Sequence, residues 1–150
     1  MLTPPSLKPG DLIRVVAPSS RFDRTRFDKG VNVLKSLGYK VAFRDDIVES
    51  HDYLAGDDDR RAEELKEALA DVDAAAIWCA RGGYGAQRLY PLLDQLEVSS
   101  PKWLVGFSDI TALHAWTRRR GYQTIHGPNI TTLADSPQAA RDETFNLMQE

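Results

Sequence analysis

What most constrains this chain is the alternation of two periods along it. Ile13-Arg14-Val15-Val16-Ala17 is a short β-rich run between the turn signals Lys8-Pro9-Gly10-Asp11 and Pro18-Ser19-Ser20, and it reads as a buried strand. Phe27, Val31 and Leu34 then recur at helical spacing before the stop signal Gly38, so the spacing predicts an amphipathic helix over residues 23–37. Residues 39–43 give a second strand. Ala62, Leu65, Ala68 and Leu69 mark one face of a helix starting near Asp57, where three consecutive aspartates suit the positive end of the helix dipole and read as a solvated cap. Ala74–Cys79 is a third buried strand, followed by a glycine-rich turn and a helix with Leu89, Leu92 and Leu93 on its apolar side, which Pro91 should kink or restart. Residues 103–107 form a fourth strand, Ile110, Leu113, Trp116 and Thr117 the next helical period, and residues 123–126 a fifth strand. Ser136-Pro137 reads as the N-cap and first residue of a last helix bearing Phe145, Leu147 and Met148. Strands alternating with helices through short connections predict an α/β fold: an open, mostly parallel sheet with helices on both faces.

Composition narrows the function classes. A length of 150 residues with 42% hydrophobic content suits one domain, and 19 basic against 22 acidic residues argue against a nucleic-acid partner. Pro4, Pro5, Lys8, Pro9, Asp11 and Arg14 interrupt the leading segment, and no later stretch reaches bilayer-spanning length, so a cytoplasmic protein with no membrane partner is expected. The lone Cys79 cannot form an internal disulfide or a cysteine-based zinc site, and its neighbours Ile77 and Trp78 predict a buried structural thiol. No stop signal closes the final apolar pattern before Glu150, so the natural protein is expected to continue.

Ligands of parallel α/β sheets gather beyond the carboxyl ends of the strands. Four segments fall there: Pro18-Ser19-Ser20, Arg81-Gly82-Gly83-Tyr84-Gly85, Phe107-Ser108-Asp109 and His126-Gly127-Pro128-Asn129. Ser108 sits at a strand-to-helix junction two residues after Gly106, the pattern of a nucleophile elbow, although Ile110 stands where the general pattern has a second glycine. By itself the same tetrapeptide also describes a serine that merely caps a helix. The glycine turn admits three readings: a backbone donor for a developing oxyanion, with Gly83 the candidate, a phosphate cradle, or a plain tight turn.

Taken together and in order, Leu7-Lys8-Pro9-Gly10-Asp11, Val15-Val16-Ala17-Pro18-Ser19-Ser20, the glycine turn, Gly106-Phe107-Ser108-Asp109-Ile110-Thr111-Ala112-Leu113 and His126-Gly127-Pro128 resemble the amino-terminal half of the LD-carboxypeptidase family, which includes the microcin C immunity peptidases. The resemblance implies a flavodoxin-like, class I glutamine amidotransferase-like three-layer sandwich. It implies Ser108 as nucleophile, the N–H groups of Gly83 and Asp109 as oxyanion donors, and no metal or cofactor; Ile110 is ordinary there. Its Ser-Glu-His triad draws the glutamate and histidine from a carboxyl-terminal domain. Residues 1–150 would then be the nucleophile domain of a two-domain peptidase, inactive alone and homodimeric at full length. The implied reaction is release of D-alanine from murein tetrapeptides. A peptidyl-nucleotide hydrolase of the same family and a non-catalytic small-anion binding module are the alternatives. Arg81, Gly82 and His126 are candidate substrate contacts. His114 lies about 9 Å along its helix from Ser108 and turned away from it, too far to serve as base, and His51 reads as a solvated loop residue.

Overall fold

The computed structural model describes residues 1–98 and 100–150. The elements follow in chain order as β1 (Leu12–Val16), α1 (Arg24–Ser36), β2 (Lys40–Ala42), α2 (Asp58–Ala70), β3 (Ala74–Cys79), a 3-10 turn (Ala86–Leu89), α3 (Tyr90–Leu93), β4 (Trp103–Gly106), a second 3-10 turn (Ser108–Ile110), α4 (Thr111–Arg119), β5 (Ile125–His126), α5 (Ile130–Leu133) and α6 (Gln138–Gln149). The strands form one sheet of order β2-β1-β3-β4-β5, parallel at every pairing. This is the α/β architecture the alternating periods require.

The side-chain period of two sorts each strand between the faces. Ile13, Val15, Ala76, Trp78, Trp103 and Val105 pack with Phe27, Val31 and Leu34 of α1, Ile130 and Leu133 of α5, and Phe145 and Met148 of α6. Val16, Ile77, Cys79 and Leu104 face Leu65 and Ala68 of α2, Leu93 of α3, and Leu113 and Trp116 of α4. Cys79 is fully buried, and burial pushes its thiol pKa up, as expected of a structural cysteine. No helix among the described residues is long and apolar enough to cross a membrane.

Two local expectations are corrected. Ser136 does not cap the last helix: its hydroxyl donates to Thr132 O at 2.7 Å, closing the preceding turn, while extended Pro137 occupies the cap position and α6 starts at Gln138. The fifth strand shrinks to two residues, since only Ile125 and His126 find partners on β4. Around Pro91, which cannot donate into a preceding turn, the segment divides into the 3-10 turn and α3, the restart expected there.

Candidate active site

In the strand order 2-1-3-4-5, connections leave β1 and β3 toward opposite faces, opening a crevice beyond their carboxyl ends. There the loop after β1 meets the glycine turn after β3: Ser20 N donates to Gly82 O at 3.1 Å, and Tyr84 N donates to Ser20 Oγ at 3.0 Å. Gly83 is required at this crossing. Its φ is +101°, and a Cβ would lie 2.2 Å from Ser20 Oγ.

The third wall is the junction of β4 and α4. Ser108 has φ +65°, one of two non-glycine residues in the left-handed region among those described, a conformation that costs on the order of 1–3 kcal/mol and persists only where surroundings enforce it. They do so here by closing on the backbone from both sides. Buried Asn129 accepts from Phe107 N at 3.1 Å and donates to Phe107 O at 3.4 Å, and a Cβ on Gly106 would lie 2.8 Å from both Asn129 Oδ1 and Ile110 Cγ2. Gly106 thus provides the room the tight turn needs. Ser108 is exposed, opens a 3-10 turn and makes no capping bond; Phe107 holds the cap position instead.

Ser108 faces the glycine turn. A Cβ built on Gly82 would fall 2.9 Å from Ser108 Cβ and 3.1 Å from Ser108 Oγ. Phe22, Asp23, Arg26, Arg81, Gly82, Gly83, Phe107, Ser108, Asn129, Thr131 and Thr132 line one open cleft of about 550 Å³. Among the described residues, neither Gly83 N nor Asp109 N donates to a protein acceptor. The Asp109 carboxylate is engaged: Oδ2 accepts from Ser19 Oγ at 2.7 Å and from Ala86 N at 2.9 Å.

The remaining candidates divide. Arg81 reaches the cleft, with its guanidinium donating to Arg21 O. His126 is exposed but is not among the cleft-lining residues; its ring stands edge-on to Phe107 at 6.3 Å and 6.0 Å from His114. His114 Nε2 lies 2.8 Å from Gly106 O, a contact in which the ring nitrogen donates, and burial lowers its pKa. His51 is exposed in the loop before α2.

Asn129, Ser20 and the Asp109 side chain escaped assignment from sequence, although each lies in or beside a segment singled out there. Arg61 also escaped assignment, although it stands on the apolar face of α2, four residues before Leu65 and seven before Ala68. It is fully buried, Nη1 donates to Pro18 O at 2.6 Å and Gly85 O at 2.9 Å, and Nε donates to Gly56 O at 3.1 Å. Asp58, expected only as part of a solvated cap, pairs with Arg61 and, at 2.7 Å, with Arg88. Asp57 is the true N-cap, accepting from Arg60 N at 2.8 Å.

Comparison with known proteins bears on this arrangement. The protein slr1534 of Synechocystis sp., a carboxypeptidase by provisional name, is 39% identical over 149 residues, which cover 99% of this chain and 50% of the relative. The murein tetrapeptide carboxypeptidase of Pseudomonas aeruginosa is 36% identical over 133 residues, covering 87% of this chain and 43% of that one. Among solved structures, the microcin C7 self immunity protein MccF superposes with a TM-score of 0.88 at 26% identity, covering all of this chain and 48% of its own. The chain therefore spans about half the length of the curated relatives it matches. Residues 13–127 match the LD-carboxypeptidase N-terminal domain, and the chain belongs to that peptidase family.

Proposed function

We propose that this chain is the nucleophile-bearing domain of a two-domain serine LD-carboxypeptidase that releases terminal D-alanine from murein tetrapeptides in cell-wall recycling in the cytoplasm. The observation that carries the reading is the backbone of Ser108, held at φ +65° with its side chain beside Gly82 and open to the cleft. Strain of this kind is maintained against a standing cost and is characteristic of an elbow that presents a nucleophile.

In this reading Ser108 Oγ attacks the carbonyl of the bond before the terminal D-residue. The uncommitted N–H groups of Gly83 and Asp109 receive the oxyanion, and their fixed orientation favours the tetrahedral intermediate over the planar substrate. Gly82 gives the substrate close access to the backbone, and Arg81 offers a cation for its terminal carboxylate. His126, exposed and edge-on to Phe107, is a further candidate contact at the rim. Proton transfer needs a base, and His114 is already spent on Gly106 O. The base and its orienting carboxylate, a histidine and a glutamate, come from a carboxyl-terminal domain in a longer, homodimeric protein, so residues 1–150 alone are expected to be inactive.

The test is D-alanine release from a murein tetrapeptide by the longer protein. Ser108→Ala should lower kcat by at least about 10³-fold; retention of wild-type turnover would refute Ser108 as nucleophile. A second reading has structural support, because a related structure holds MccF in complex with glutamyl sulfamoyl guanosine at a TM-score of 0.88 and 25% identity. Parallel assays with the tetrapeptide and an aminoacyl-sulfamoyl nucleoside decide between peptidase and peptidyl-nucleotide hydrolase. A pure anion-binding module would turn over neither.

A further inference from the structure

We infer that Arg61 and the Asp109 carboxylate act as a pair of positioning residues, gripping one peptide unit of the glycine turn from its two ends and so fixing the Gly83 amide relative to Ser108. The inference rests on the hydrolase reading and deepens it, because that reading uses only the backbone N–H of Asp109.

The peptide between Gly85 and Ala86 carries the argument. Its carbonyl accepts from Arg61 Nη1 at 2.9 Å, and its N–H donates to Asp109 Oδ2 at 2.9 Å. A cation on the oxygen and an anion on the N–H both strengthen along the peptide dipole, and charge-assisted bonds of this kind are about twice as strong as neutral ones. The same two side chains also grip the loop after β1, Arg61 through Pro18 O at 2.6 Å and Asp109 through Ser19 Oγ at 2.7 Å. Ser20 holds the other end of the turn at Gly82 O and Tyr84 N. Gly83, between these anchors, has few ways to move independently of them.

Asp109 directly follows Ser108, so the strut from the glycine turn ends one residue from the proposed nucleophile. Arg61 projects from the first turns of α2, and its third carbonyl partner, Gly56 O, ties in the loop leading to that helix. Burying a guanidinium is costly, and an apolar side chain in its place would serve packing alone at less expense. What an apolar residue cannot supply is directional attachment to carbonyls from three separate loops. Oxyanion donors need that fixity, since a displacement of about 1 Å at a catalytic group can cost on the order of 100-fold in rate.

The experiment uses the longer protein and three variants, Asp109→Asn, Asp109→Ala and Arg61→Met. It reads kcat and KM for D-alanine release, thermal unfolding, and amide hydrogen exchange. The pair should act on kcat, with a loss of about 10- to 100-fold in Asp109→Ala and Arg61→Met while KM stays within about threefold. Asp109→Asn keeps an acceptor oxygen and should recover part of that loss. Exchange at Tyr84 and Ala86 should rise in the variants while β3 stays protected. Unchanged kcat in a folded Asp109→Ala protein, or a loss confined to KM, would overturn the inference. If Arg61→Met fails to fold, the near-isosteric Asp109→Asn still decides the matter through its exchange pattern. A wild-type protein that releases no D-alanine would defeat the hydrolase reading and the catalytic purpose of the pair; unaltered exchange in the variants of an active enzyme would defeat the pair alone.

Discussion

The two faces of the sheet are built on different physics. The face covered by α1, α5 and α6 is held by aromatic and branched apolar side chains, with Trp78 and Tyr39 against Phe145 at ring separations of 5.4 and 5.8 Å and Phe27 edge-on to Phe43 at 5.1 Å. Among the described residues, these three helices bury no charged side chain. Helix α2 buries two, Arg61 at 0% exposure and Glu64 at 2%. Both point to the carboxyl end of β1, where Arg61 takes the Pro18 carbonyl and Glu64 accepts from Ala17 N. Apolar packing holds helices to the sheet without regard to direction; the buried charges of α2 lie where loop backbone must be aimed.

That contrast can be tested from the apolar side first. Phe27→Ala removes a fully buried ring from the α1 face and should destabilise the fold by about 3–5 kcal/mol in thermal or denaturant unfolding, with no pH dependence of its own. A loss below about 1 kcal/mol would mean that this face is not the structural one.

Glu64 gives the next effect. Burial raises its pKa from 4.5 to about 7, opposed by Arg60 at 2.7 Å, the Ala17 N–H and Arg44, and assisted by Asp46. A folded value above the unfolded one means that the native state binds the extra proton. The contribution is therefore fully present below pH 4.5 and is lost as pH rises through 7. Unfolding measured across that window should show a downward slope of order 3 kcal/mol in total, and Glu64→Gln should flatten it. An unchanged slope in the variant would assign the pH dependence elsewhere.

Asn129 tests the support of the elbow. Asn129→Ala removes both bonds to Phe107 and should cost about 1–3 kcal/mol, with a fall in kcat from the relaxed serine. The smallest effect is a gain. Ser108→Gly relieves a left-handed conformation worth about 1–2 kcal/mol, less about 0.5–1 kcal/mol of added chain entropy, so an inactive variant should melt slightly above wild type. A lower melting temperature would show that Ser108 stabilises its turn rather than straining it.

How far the sequence reveals these features follows from the range of the forces involved. Strand and helix periods are local, so β1, α1, α2 and β3 lie close to where residue spacing puts them, and Ser108 lies at the strand-to-helix junction read from Gly106 and the following apolar period. Edges are less legible. β5 needs hydrogen-bond partners from β4 and keeps only two residues, and the cap at Ser136 yields to a bond with Thr132 that closes the previous turn. Less legible still is what buries Arg61 and Glu64. On a helical projection Arg61 falls within the apolar stripe of Ala62, Leu65, Ala68 and Leu69 and Glu64 at its edge, but the groups that hold them, Pro18 and Gly85 for Arg61 and Ala17 for Glu64, lie 43, 24 and 47 residues away in sequence. The positive φ of Ser108 is equally silent, being enforced by Asn129, which grips the preceding Phe107 from 22 residues on.

The most direct measurement is mass-spectrometric mapping of the longer protein after reaction with a phosphonate analogue of the D-alanyl bond, whose phosphorus becomes tetrahedral where the carbonyl carbon would. The account expects a single adduct on the peptide containing Ser108, abolished by Ser108→Ala. An adduct on another residue, persisting in that variant, would contradict it.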